Sequence, residues 1–120
     1  MRKITQQSIH AFNGSYNFNK ANMRVEVSPF DQSTRLYLHG NLIAYRDPRG
    51  LVYITHAGWR SNTTKERLNG LDGVRINQKD FTWYLNGHEW TNPGDLTCIN
   101  TWPNPNPAPN DYSLKDFTLN

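Results

Sequence analysis

A single cysteine, Cys98, stands in this 120-residue chain, so an intramolecular disulfide is excluded and a reducing, intracellular compartment is the expectation. No apolar run approaches the ~18 residues of a membrane span. Met1-Arg2-Lys3 leads into polar Gln6, Gln7 and Ser8 instead of a signal-peptide core. Charge of either sign is scarce: a formal net charge of +3 and a pI near 9.2 permit contact with phosphate or an acidic partner but do not demand it. His10, His39, His56 and His88 form no H-x-x-x-H or H-E-x-x-H pattern and none pairs with Cys98 at ligand spacing, so neither a metal nor another cofactor is expected. His88 and Glu89, adjacent on a strand, point to opposite faces. Cys98 lacks a nucleophile motif and reads as a small buried hydrophobe. No glycine-rich strand-to-helix turn is present to cradle a phosphate. Together these absences predict a protein that is not an enzyme.

What is there is turn chemistry. Between Thr34 and Thr55 the pairs Gly40-Asn41 and Asp47-Pro48-Arg49-Gly50 predict two reversals of a β-meander. Pairing outward from them sets Leu38 opposite Ile43, Leu36 opposite Tyr45, Tyr45 opposite Val52 and Ile43 opposite Ile54. Six apolar residues then share one face. The other face would carry Arg35, Tyr37, His39, Ala44, Arg46 and Tyr53. Upstream, Met23, Val25 and Val27 alternate with polar residues and predict a further strand. A second meander is expected over Val74 to Gln78, Phe81 to Leu85 and His88 to Trp90, turning at Lys79-Asp80 and at the type I′ pair Asn86-Gly87. It would bury Ile76, Trp83, Leu85 and Trp90 and show Arg75, Asn77, Lys79, Thr82 and Tyr84.

Two short helices are predicted. Thr5, with Ile4 and Ile9 at staple spacing, opens one that ends at Asn13-Gly14. Thr63 and Glu66 match a capping box for a second over residues 63 to 70, with Gly70 beyond its end. The fold class is therefore α+β: an antiparallel sheet of two three-stranded meanders plus an N-terminal strand, with two short helices. Hydrophobic residues make up 36% of the chain, enough at this length for one core without staples. A single domain is expected over residues 1–101. From Trp102 the alternation of Pro103, Pro105, Pro107 and Pro109 with Asn and Ala forbids a central strand, and residues 102–120 read as an extended Pro/Asn-rich tail. Tyr112, Leu114 and Phe117 give it apolar handles for a partner or for self-association.

Several segments together resemble a group of small uncharacterised bacteriophage proteins. The carrying residues are Leu38-His39-Gly40-Asn41 with Ile43-Ala44, then Gly58-Trp59 leading into Asn62-Thr63-Thr64-Lys65-Glu66-Arg67-Leu68-Asn69-Gly70, and Trp83-Tyr84-Leu85-Asn86-Gly87 with Glu89-Trp90. The resemblance covers roughly residues 3–92; the tail from Pro93 departs from the compact members. It implies a phage origin and expression in the cytoplasm of an infected bacterial host, and it brings no catalytic residues.

Three surfaces are candidates for binding. Tyr37, Tyr53 and Tyr84 beside Arg35, Arg46 and Arg75 form a Tyr/Arg sheet face that suits either a protein partner or stacked single-stranded nucleic acid, unless a helix or the tail covers it. Lys65 and Arg67, with Arg60 upstream, either hold a phosphate at the second helix or form a solvated face beside its cap. A pocket near Trp59 and Arg67 would suit a small ligand. The reading favoured is a host-takeover or anti-defence protein that binds a host macromolecule, most simply a host protein. Nucleic-acid binding through the Tyr/Arg face is the alternative, and no membrane is involved.

Overall fold

Helix α1, Lys3–Gly14, puts Thr5, Ser8, Ile9 and Phe12 on one buried stripe at the i, i+3, i+4, i+7 spacing of an amphipathic helix. The structure is a computed structural model that describes residues 1–107. Arg2 occupies the cap position of α1 and supplies no side-chain cap. Thr5, expected as that cap, lies inside the helix and is used elsewhere. Ser15 ends α1 at φ 55°, donating its N–H to the carbonyls of Ala11 and Phe12.

Two antiparallel sheets follow where one was expected. The larger holds β1 (Phe18–Lys20), β2 (Met23–Val27), β3 (Thr34–Leu38), β4 (Asn41–Arg46), β5 (Val52–Ile54) and, after the smaller sheet in sequence, β9 (Thr97–Cys98), in spatial order β1-β2-β3-β4-β5-β9. The smaller holds β6 (Ile76–Lys79), β7 (Thr82–Leu85) and β8 (His88–Glu89), a three-stranded meander as expected. Ile9 and Phe12 of α1, Met23, Val25, Leu36, Leu38 and Ile54 of the larger sheet and Ile76, Trp83 and Leu85 of the smaller share one core.

Both meanders turn one residue away from the expected place. The β3–β4 reversal uses His39 (φ 51°) and Gly40 (φ 79°), and β6–β7 uses Asp80 (φ 52°) and Phe81 (φ 69°), each with two positive-φ residues as a type I′ hairpin requires. Moving a turn by one residue slips the register by two, an even number, which keeps every side chain on its face. Trp83 and Leu85 are therefore buried as predicted, although they face Gln78 and Ile76 instead of Ile76 and Val74. His88 pairs with Leu85 on that side yet is exposed.

In β4 a bulge breaks the parity. Leu36 faces Ala44 while Tyr37 faces Leu42, so Ile43 is the extra residue, and Ile43 and Ala44 both enter the core. Ala44, Tyr45 and Arg46 are reversed relative to expectation, while Val52, Tyr53 and Ile54 of β5 keep their expected faces. Tyr45 leaves the core face and lies opposite Tyr53, with Cys98 beyond. Together with half-buried Leu51 and Leu96, these three form a second buried cluster on the far side of the sheet. Arg46 moves in the opposite sense, onto the α1 side.

Helix α2, Asn62–Leu68, is capped by Ser61, whose hydroxyl accepts from the Thr64 N–H at 3.1 Å. The predicted capping box of Thr63 and Glu66 does not form, because the cap lies two residues earlier, at Ser61. Gly70 lies where a Cβ would come within 3.0 Å of Ile9 and Thr5, which lets the end of α2 close against α1. Asparagine carboxamides then act as strand surrogates. Asn69 exchanges two bonds with the Ile76 backbone, at 2.6 and 3.1 Å, and Asn106 binds the Cys98 N–H at 2.8 Å and the Leu96 carbonyl at 2.9 Å. The Pro/Asn segment thus packs on β9 over residues 102–107, where Trp102 also donates to the Leu85 carbonyl at 2.7 Å. The apolar handles Tyr112, Leu114 and Phe117 lie outside the described residues.

Candidate functional site

After β5 the chain makes a turn that drives a tryptophan outward. The His56 N–H donates to Pro93 O at 2.8 Å, Ala57 and Gly58 take positive φ, and the Trp59 N–H closes the turn on the His56 carbonyl at 2.8 Å. Trp59 emerges 62% exposed. Next to it, Arg60 extends to the Phe81 carbonyl, 2.6 Å away, tying the Trp59 segment to the β6–β7 turn. Phe81 is 86% exposed on that turn, at a φ that costs a bulky side chain. Lys65 bonds to Gln78 at 2.8 Å, and the Lys65 and Arg60 cations lie 5.6 and 5.8 Å from the ring centroid of buried Trp83. Two exposed aromatics and two cations therefore share one surface.

A cleft of about 440 Å³ opens beside Trp59, between the β3–β4 hairpin and the start of α2. Leu38, Ile43 and Thr64 make its buried walls, and His39, Asn41, Ser61 and Thr63 line its more open parts. His56 closes one wall, only 8% exposed, its ring edge-on to Trp83 at 5.3 Å. Because His56 Nδ1 accepts from the Gly58 N–H at 2.9 Å, the neutral ring carries its proton on Nε2. That N–H has no acceptor among the described residues. Burial, and secondarily the Arg60 charge, hold the His56 pKa below its ordinary 6.5, so the ring is neutral at physiological pH.

The residues predicted from sequence are dispersed. Arg67 is the sharpest correction: expected on a solvated or phosphate-binding face, it is 2% exposed and turned toward α1. It donates to Thr5 at 3.0 Å and to Asn22 at 3.3 Å and forms a short ion pair with Glu66. Glu66 in turn accepts from the Thr5 hydroxyl at 2.6 Å. Burial by itself would raise the Glu66 pKa, but the bonds from Thr5, Arg67 and the Arg2 N–H outweigh it and bring the carboxyl below its ordinary 4.5. Arg67 does not line the cleft near Trp59.

Arg46 and Tyr53 also fail to be exposed face residues. Arg46 donates to the Phe12 carbonyl at 2.6 Å, reaches Ser15 and Thr34, and stacks 4.7 Å from the Phe12 ring, closing the end of α1. Tyr53 is buried beside Tyr45; its hydroxyl meets Arg49 at 3.1 Å and Asp47 at 3.5 Å. Burial, with the Asp47 charge second, raises the Tyr53 pKa. Tyr37 remains half-buried opposite Arg24, whose guanidinium stacks 4.3 Å from its ring, and Arg35 pairs across from Glu26. Tyr84 sits on the other sheet, and Arg75 lies one residue before its first strand. There Tyr84 faces Asn77 and Glu89, and Arg75 is exposed. The Tyr/Arg face is thus divided between two sheets.

Sequence reasoning missed His56, which carries no motif, and Phe81, which was placed in a strand. Ser61 left a signal: Ser61-x-x-Thr64 has cap spacing two residues before Thr63-x-x-Glu66. Among the described residues no group of three His, Cys, Asp or Glu is placed to hold a metal ion, and no helix is long and apolar enough to cross a membrane.

Residues 1–103 match the profile of a family described as Kyanoviridae Gp96 protein. No curated protein and no solved structure matches the chain.

Proposed function

The chain belongs to the Kyanoviridae Gp96 family of bacteriophage proteins, and from that premise we propose that it is a non-enzymatic accessory protein that binds a host protein in the cytoplasm of the infected bacterium. Its role would be host takeover or inhibition of a host defence. The observation that carries this reading is the surface formed by Trp59, Arg60 and Phe81. Large aromatics and arginine dominate the energetics of protein interfaces, and a bulky residue kept exposed at positive φ costs stability that the fold itself does not recover. The Arg60 bond to the Phe81 carbonyl holds both aromatics in a fixed relation, which lowers the ordering cost of binding.

Affinity capture of the tagged protein from infected cells, compared with Trp59→Ala and Phe81→Ala, tests this reading. A discrete host protein recovered by the parent and lost with both variants supports it. Recovery of nuclease-sensitive, salt-sensitive material instead favours the nucleic-acid reading. That reading would rest on Lys79 and Tyr84 of the smaller sheet with Arg75 just before it and Phe81 on its turn, because Arg46 and Tyr53 are committed to packing.

A further inference from the structure

We propose that the cleft beside Trp59 is an anchor pocket for one large apolar side chain of an acidic peptide segment of the partner, with His56 Nε2–H donating to that segment's main-chain carbonyl. The inference rests on the protein-binding reading above and names what the partner must present.

The size and lining select the anchor. At about 440 Å³ the cleft falls within the range of about 300–1,000 Å³ typical of pre-formed ligand sites, with room for one large side chain and its flanking backbone. Leu38 and Ile43 offer apolar contact at depth, and no Asp, Glu, Lys or Arg is among the lining residues. A charged anchor would lose its hydration there without a counter-ion.

One polar group is left over. His56 is more than nine-tenths buried, its Nδ1 is satisfied by Gly58, and its Nε2–H has no acceptor among the described residues. That N–H keeps contact with solvent through the cleft, so a ligand that displaces the water there must bring an acceptor, and a main-chain carbonyl is the simplest. The depressed His56 pKa keeps the ring a one-proton donor.

Charge around the rim sets the flanks. Arg60, between the lining residues Trp59 and Ser61, and Lys65, next to Thr64, lie over Trp83 behind the His56 wall, and Lys79 is exposed on the adjoining hairpin. The surplus is positive, so carboxylates beside the anchor complement it. Complementary charge speeds and orients encounter more than it adds affinity.

The test is an NMR titration of ¹⁵N-labelled protein with a capped acidic peptide carrying one central phenylalanine, beside the same peptide with glycine at that place. Uridine monophosphate is a third probe. Shifts converging on Ile43, His56 and Trp59 with the phenylalanine peptide alone, and lost in Thr63→Trp, which fills the cleft from a half-buried position, are the expected result. Thr63→Trp must keep the parent melting temperature; Asn41→Trp fills the opposite rim should it not. Equal responses to both peptides, no cleft response up to millimolar peptide, or a response to the nucleotide alone would each overturn the proposal. Host-protein capture that survives Thr63→Trp and falls with Phe81→Ala would retire the anchor pocket and leave the protein-binding reading standing.

Discussion

Arg67 and Thr5, sixty-two positions apart, meet through a 3.0 Å hydrogen bond between the guanidinium and the threonine hydroxyl, and Glu66 accepts from the same hydroxyl at 2.6 Å. This junction locks α2 to α1. It is also the least legible part of the sequence, since Glu66 and Arg67 are adjacent and each has a simpler local reading as a cap or a solvated charge.

Removing one member of the pair should be worse than removing both. Glu66→Leu leaves a buried guanidinium without its carboxylate and should cost about 3–5 kcal/mol, while Glu66→Leu with Arg67→Met removes the charge along with its partner and should recover much of that loss. Urea unfolding of the two variants checks the order. Equal losses would mean that Arg67 is solvated in spite of its burial.

The β4 bulge makes a prediction opposite to the pattern-based one. An unbroken alternation places Tyr53 on an exposed face, where truncation would be harmless. Buried against Tyr45 and Cys98, Tyr53→Ala should instead cost about 3–5 kcal/mol, in the range of large aromatic truncations. A melting temperature within a degree or two of the parent would show that the second cluster contributes nothing.

The two meanders explain how much could be read from the chain. Turn chemistry located each hairpin within one residue, and because such an error changes register by two, the buried faces of Trp83, Leu85, Leu36 and Leu38 survived it. A bulge has no compositional mark. Ile43-Ala44 fits either an unbroken strand or a pair that both face inward, and only packing against α1 decides. Tyr45 and Arg46 were therefore misplaced by one inserted residue, and Tyr53, on its expected face, is buried because Tyr45 joins it there. The candidate site was harder still, since Trp59 was expected to share a pocket with Arg67 and Phe81 to lie in a strand, while His56 becomes a site residue only when Trp83 and Ile43 come close to it.

The cap of α2 separates two neighbouring hydroxyl residues. Ser61→Ala removes the acceptor for the Thr64 N–H and should cost about 1 kcal/mol, whereas Thr63→Ala, one position inside the first turn, should cost little. Thermal melts of both variants decide between Ser61 and the box predicted from Thr63 and Glu66. A reversed order would return the helix start to Thr63.

Acid should act on the cleft through His56. Its folded pKa lies below 6.5 while the unfolded ring titrates near 6.5, so the unfolded state takes up the proton first as pH falls. Above pH 6.5 the residue makes no pH-dependent difference. Below it stability declines, and the decline stops once pH passes the folded pKa. His56→Gln should flatten this segment of the stability profile, measured as melting temperature between about pH 7.5 and 5. An unchanged slope would show that His56 titrates normally and is open to water.

Phe81 gives the clearest separation of stability from function. At φ 69° its side chain is strained, and at 86% exposure it recovers little by packing, so the fold alone would be better served by another residue. Left-handed backbone costs an ordinary L-residue roughly 1–2 kcal/mol, a penalty that asparagine tolerates better and glycine avoids, although glycine loses about 0.5–1 kcal/mol of that through its freer unfolded state. Phe81→Asn should therefore raise the melting temperature slightly, and Phe81→Gly should leave it unchanged or a little higher. Both should weaken recovery of the host partner. A residue kept for packing would show the reverse, with stability falling and capture unaffected. A loss of stability in both variants would identify Phe81 as part of the fold and move the interface away from the β6–β7 turn.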